Sequence, residues 1–304
     1  MKSLQAVQVD SDKQEVAAMQ MRSQRKRLWR TLLRNRTAVV GMVTIVLIAF
    51  VAVFAPLIAP YDPYEQDPFN RLQAPSREHL AGTDDFGRDS LSRIIYGARV
   101  SLVVGLGATL LAMIFGTSLG LVAGYAGGGT ENFIMRVVDV LMAFPSLLMG
   151  MMVLAVLQQF PGSGLTKAIF GTGVIMASGF ARVVHAATLT LKDRDFVTAA
   201  LSIGTGNSRI LRRHILPNLV GEVVVLASLR TGQAIRVEAS LSFIGLGVAP
   251  PIATWGNMIR DGMRHITYAP WLSVYPGLAI LITILAFNLL GDGLRDVLDP
   301  KLQE

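Results

Sequence analysis

An all-α, polytopic membrane protein is the fold class this sequence predicts, and three observations predict it. Of its 304 residues 52% are hydrophobic and 16% charged, far from the balance of a soluble domain. Charge-free apolar runs long enough to cross a bilayer recur along the chain. The segments between them collect Lys and Arg on alternate sides. Helices follow because a backbone amide left unpaired in lipid is too costly for irregular structure.

Four stretches carry no charged residue: 38–60, 100–130, 140–166 and 266–291. Each holds the roughly 20 apolar residues that a ~30 Å hydrocarbon core requires. Residues 165–184 form a fifth candidate, with Lys167 and Arg182 near its ends, where long side chains snorkel to the interfaces. The sixth, 219–241, contains Glu222, Arg230, Arg236 and Glu238, which predicts a charged face turned to other helices or to water. Six spans are therefore expected, at about 38–60, 100–125, 137–158, 165–184, 219–241 and 268–290. They form one domain, 38–304, behind an N-terminal tail, 1–37. That tail is too long for a cleavable signal, so the first span is expected to remain as an anchor. Residues 25–34 predict a basic amphipathic helix on the membrane surface, and the tail through Gln24 predicts little order.

Of the 28 Lys and Arg, 18 fall on the side of the N-terminus and eight on the other, with Arg230 and Arg236 inside a span. The positive-inside rule then places both termini, and the loop 185–218, in the cytoplasm.

Small residues recur every four positions at Ala108, Ala112, Gly116, Gly120 and Gly124, predicting one helix face that another can approach closely. Pro145 falls inside the third span and predicts a kink, readable as a hinge or as shape alone. The outer segment 82–89, Gly-Thr-Asp-Asp-Phe-Gly-Arg-Asp, lacks the spacing of a calcium loop. Its Asp and Gly residues read as turn formers, with Asp89 as the cap of a following helix. Arg230 near the middle of a span admits two readings: a polar pathway, with Arg236 and Glu238, that meets a carboxylate of the cargo, or a buried ion pair that orders the bundle.

Several classes are excluded. There is no cysteine, hence neither disulfide nor thiol catalysis. The four histidines have no metal-ligand spacing. No Gly-Lys dipeptide occurs, so the chain has no Walker A loop and is not itself a P-loop ATPase. A net charge of +7 is distributed beside apolar spans without interleaved aromatics, which argues against nucleic acid. No nucleophile, base and orienter set marks an intramembrane hydrolase.

The most informative segment is 195–218, polar, basic and broken by glycines between two apolar runs. It predicts a short helix over 195–202, a sharp turn at Gly204 and Gly206, and a second helix over 208–213 that ends near Pro217. Within it Thr198, Ala199, Ala200, Gly204, His214, Leu216 and Pro217 have the spacing of the Glu-Ala-Ala loop by which membrane subunits of bacterial ABC importers grip their ATPases. Further marks are Gly82-Thr83-Asp84, Asp139, Phe144-Pro145, Ala181-Arg182, residues 238–247, Trp255-Gly256, Pro270-Trp271 and residues 288–296. Together, over 34–302, they resemble the second permease of the dipeptide, oligopeptide and nickel importers.

The resemblance implies a type I (MetI-like) ABC importer permease fold in the bacterial inner membrane, and transport rather than catalysis. It implies a homologous second permease, two ATPases that bind ATP and Mg, an extracytoplasmic substrate-binding protein and surrounding lipid as partners. No cofactor is expected in this chain. The family's Glu is Thr198 here, which removes an acidic contact while Ala199, Ala200 and Gly204 keep the shape. The competing reading is a secondary transporter or channel, driven by an ion gradient and using the charges of 219–241. That reading has no use for a glycine-broken cytoplasmic segment.

Overall fold

Residues 30–298 are described by the computed structural model, and they are helical almost throughout. The tail through Gln24 and the first half of the basic segment, 25–29, lie outside the described residues; 30–34 are helical. In chain order the helices are α1 (Arg36–Val53), α2 (Ala55–Ile58), α3 (Ser90–Ala126), α4 (Gly128–Ala143), α5 (Ser146–Leu157) and α6 (Gly164–Lys192). There follow α7 (Asp195–Ser202), α8 (Asn207–Ile210), a π turn (Leu211–Ile215), α9 (Leu216–Phe243), α10 (Trp255–Met263) and α11 (Trp271–Leu298). Among the described residues five helices are long and apolar enough to span a bilayer: α1, α3, α6, the continuous run Asn207–Phe243, and α11. The pair α4 and α5 makes a sixth if counted together.

That pair differs from the expected kinked span over 137–158. Its two halves meet at 105° across a break of two residues. Pro145 lacks a donor and sterically pushes the preceding residue out of helical geometry, so Phe144 is extended at φ −83° and ψ 140°. With 12 residues at 1.5 Å each, α5 reaches about 18 Å and cannot cross alone.

The close approach of α3 and α6 forms the centre of the bundle. A Cβ on Gly116 would stand 2.4 Å from Ala177 O, one on Gly120 2.5 Å from Ala181 O, and one on Gly124 2.8 Å from Thr188 Cβ. Ala108 and Ala112, on the same strip, are fully buried with Phe180 and Ala234. The α1 helix docks on α11 by the same device, Gly41 against Ala286 O and Gly293 against Ala38.

At the start of α3, Asp89 caps the helix by accepting from Ser92 N at 2.7 Å, as its position before Ser90 predicts. Gly82 and Gly87 take φ of +72° and +75° in the turn between, and Asp84 binds Arg88 Nε at 2.7 Å. The acidic segment is thus a turn held by its own arginines. Asp85 keeps a buried, unpartnered Oδ1. Burial, then the neighbouring Asp84 and Asp261, pushes its carboxyl above the usual range.

Three outcomes follow. Gly120→Leu is expected to cost on the order of 1–3 kcal/mol by overpacking, read as a lower thermal midpoint in detergent. Gly129→Ala, where nothing stands within 4 Å, is expected to be neutral or stabilising. Because the folded chain favours protonated Asp85, its stabilising contribution is present below the ordinary carboxylate pKa and is lost as pH rises through the raised value. Asp85→Asn should therefore raise the midpoint at neutral pH and leave it unchanged in acid.

Candidate functional site

The polar segment folds into a rigid hairpin beneath the bundle. Its first helix, α7, closes with two bonds that satisfy its last carbonyls: Gly204 N donates to Leu201 O at 2.9 Å and Thr205 N to Ala200 O at 3.1 Å. The closure needs a left-handed residue, and Gly204 supplies it at φ +79°. Gly206 has φ −66°, so only the first of the two glycines is needed for its backbone freedom.

The second helix does not end at Pro217, contrary to expectation. It passes through the π turn, where Leu216 N reaches five residues back to Leu211 O, and continues as α9. Pro217 is accommodated at this junction because the π turn just before it already interrupts the regular bond ladder. Asn218 Nδ2 donates to His214 O at 2.6 Å across the same junction.

One face of the hairpin is sewn to the bundle. Val197, Ala200, Ile210 and Ile215 pack with Val184 of α6 and with Leu219 and Val223 of α9. Tyr125 at the end of α3 donates to Asn207 Oδ1 at 3.1 Å. The other face is open and apolar: Ile203 is 82% exposed, Leu201 50% and Phe196 39%. The candidate residues therefore divide. Thr198, Ala199 and Gly204 lie on the exposed side, Ala200 points into the core, and His214, Leu216 and Pro217 lie on the rising helix at intermediate or full exposure. The sequence reading missed Ile203, whose signal was its place just before the left-handed glycine, at the tip.

Above the hairpin, α4 is held to α6 by two polar contacts, the ion pair Asp139 with Arg182 and Glu131 Oε1 with His185 Nε2 at 2.7 Å. Two separate marks of the sequence, Asp139 and Ala181-Arg182, thus meet in space. Between α6 and α9 runs an open groove of about 570 Å³, whose polar lining includes Arg182, Thr190, Asn218 and Glu222.

The three charged residues proposed for a pathway do not share a face. At 100° per residue Glu238 lies about 140° around α9 from Gln233, and it is only 1% exposed. It accepts from Ser242 Oγ at 2.7 Å and from Ser101 Oγ of α3 at 3.3 Å, so it ties helices together inside the subunit. Arg236 and Gln233 are exposed, on the same stripe as Glu222. Arg230 sits at its edge and donates Nη1 to Gln233 Oε1 at 2.7 Å. The ion-pair alternative also fails for the arginines, because neither has a carboxylate partner among the described residues.

Comparison with known proteins decides what kind of bundle this is. Residues 116–304 match the family model of the binding-protein-dependent transport system inner membrane component. The chain belongs to that family. Residues 23–75 match the N-terminal TM domain of oligopeptide transport permease C. The chain is 43% identical over 275 residues to a dipeptide transport system permease of Alkalihalophilus pseudofirmus, covering 90% of this chain and 89% of the relative. It is 42% identical over 279 residues to a glutathione transport system permease of Pectobacterium atrosepticum, covering 91% of each. An oligopeptide transport system permease of Bacillus subtilis is 41% identical over 270 residues, covering 89% of this chain and 87% of that one. Among solved structures, an inward-facing MetNI methionine ABC transporter chain superposes with TM-score 0.57 at 17% identity, covering 68% of this chain and 97% of that one. This last likeness shows the ABC importer permease fold. The chain is accordingly a multi-span permease subunit of an ABC importer, not an enzyme, and one component of a larger assembly.

The left-handed cap has a direct check. Gly204→Asn is expected to be tolerated, since Asn adopts this conformation readily. Gly204→Val should cost on the order of 1–2 kcal/mol for a β-branched residue held at positive φ, read by faster proteolysis of the hairpin in the purified protein.

Proposed function

We propose that the chain carries peptides or a related small solute across the bacterial inner membrane as one of two homologous permeases. In this reading two ATPases bind ATP and Mg on the cytoplasmic side, a substrate-binding protein delivers cargo from outside, and both termini are cytoplasmic. The printed functions of its relatives, dipeptide, oligopeptide and glutathione permeases, support the cargo class. The charge asymmetry of the loops supports the orientation.

The observation that carries the coupling assignment is the hairpin 195–218. An apolar tip held out at the membrane face, with Ile203 uncovered, is costly in water and gains stability by entering a groove. Its other face is packed into three helices of the bundle, so a push on the tip moves those helices as a body. ATPase closure can thereby switch the pathway between inward and outward access. Thr198 offers no charge, so the grip rests on shape and apolar contact, with Arg209, Arg212 and Arg213 exposed nearby for lipid headgroups or ATPase carboxylates.

Gly204→Arg, and independently Ile203→Asp, are expected to abolish ATP-dependent uptake while leaving membrane insertion intact. Copurification should show the second permease retained and the ATPases lost. Normal uptake by both variants would sink the coupling assignment.

A further inference from the structure

A guanidinium inside a membrane span costs a few kcal/mol or more unless something polar meets it, and α9 places two of them, Arg230 and Arg236, without a carboxylate partner among the described residues. The neighbouring helix makes specific room for the first. Gly179 of α6 is buried, and a Cβ there would stand 3.0 Å from Arg230 Nη2 and 3.1 Å from its Cζ. The glycine is a notch against which the guanidinium lies. The Oε1 of Gln233 takes one Nη1 proton at 2.7 Å, and that bond turns the Gln233 amide so that its own Nε2 donors point away from the arginine. What remains is a set of N–H donors with no acceptor among the described residues: the rest of the Arg230 fork, the Gln233 amide and, one turn further out, the exposed Arg236.

We propose that Arg230, Gln233 and Arg236 form a carboxylate-reading station on the translocation path, selecting cargo that carries a free carboxylate, such as the C-terminus of a peptide. The inference rests on the permease reading above and adds a ligand chemistry to it. A planar fork matches a carboxylate bidentately, and a carboxylate desolvated on entry regains charge-assisted bonds there. The carboxylate of Glu222 lies on the same stripe two turns inward, at a distance of roughly 12 Å from Arg230 by helix rise. Thus, a carboxylate bound at the station is drawn by two cations and is repelled below, which keeps the site one of passage rather than of trapping.

The test bypasses the binding protein, whose own selectivity is a separate matter. A benzoylphenylalanine-containing tripeptide, as free acid and as C-terminal amide, is photo-crosslinked to the purified assembly, and labelled segments are mapped by mass spectrometry. The free acid is expected to label α6 and α9 around residues 179–236 at least about tenfold more than the amide, the ratio lost with one charge-assisted hydrogen bond. Arg230→Gln should abolish that preference and Arg230→Lys restore part of it. In cells, Arg230→Gln should lower maximal peptide uptake while membrane abundance and ATPase copurification stay unchanged. Equal labelling by acid and amide in the unmodified protein, or an undiminished preference in Arg230→Gln, would overturn the station. If uptake is intact in either of those cases, the permease reading stands; if no ATPase or second permease copurifies with the unmodified chain, it is that reading which fails.

Discussion

Everything in the bundle is positioned by the contact of α3 with α6, where backbone meets backbone at Gly116, Gly120 and Gly124. In lipid there is no hydrophobic drive to bring helices together, so close van der Waals packing must do it, and only small residues allow that approach. The contact sets more than stability. The end of α6 nearest the hairpin carries Val184, against which the hairpin packs, and His185 and Arg182, which hold α4. Its middle carries Gly179, the notch for Arg230. One helix thus connects the hairpin, the broken α4–α5 pair and the polar face of α9.

Two prolines show how context decides the effect of one chemistry. Pro145 follows a residue that its ring drives into extended geometry, and the chain turns through a right angle. Pro217 falls eleven residues into a continuous helix, directly after a π turn that already interrupts the regular bond ladder and absorbs the irregularity. The helix then runs unbroken from Asn207 to Phe243. This continuity makes the hairpin the foot of a spanning helix instead of a separate loop, so movement of the foot is movement of the charged face above it.

The charges of α9 serve two purposes on opposite sides of one helix. Glu238 faces inward and is satisfied by Ser101 and Ser242. Arg230, Gln233 and Arg236 lie on the open side, and Glu222 follows toward the hairpin. The groove between α6 and α9 opens beside Glu222. A helix that hydropathy alone barely admits as a span is in this way the one that divides a packed face from an open polar one.

Composition and pattern by themselves determined the fold class, because a bilayer admits few solutions and charge-free runs of about 20 residues state the main one. They also determined the small-residue face of α3, the cap at Asp89 and the left-handed turn at Gly204, all of which follow from periodicity or from the geometry of a single residue. What only the tertiary structure decided was orientation about a helix axis and geometry across a break. Glu238 and Arg236 stand two positions apart in sequence and on different sides of α9, and residues that distant in angle are separated by what the helix packs against. The exposure of Ile203, the burial of Ala200 and the meeting of Asp139 with Arg182 likewise depend on contacts between distant segments, which no local pattern encodes.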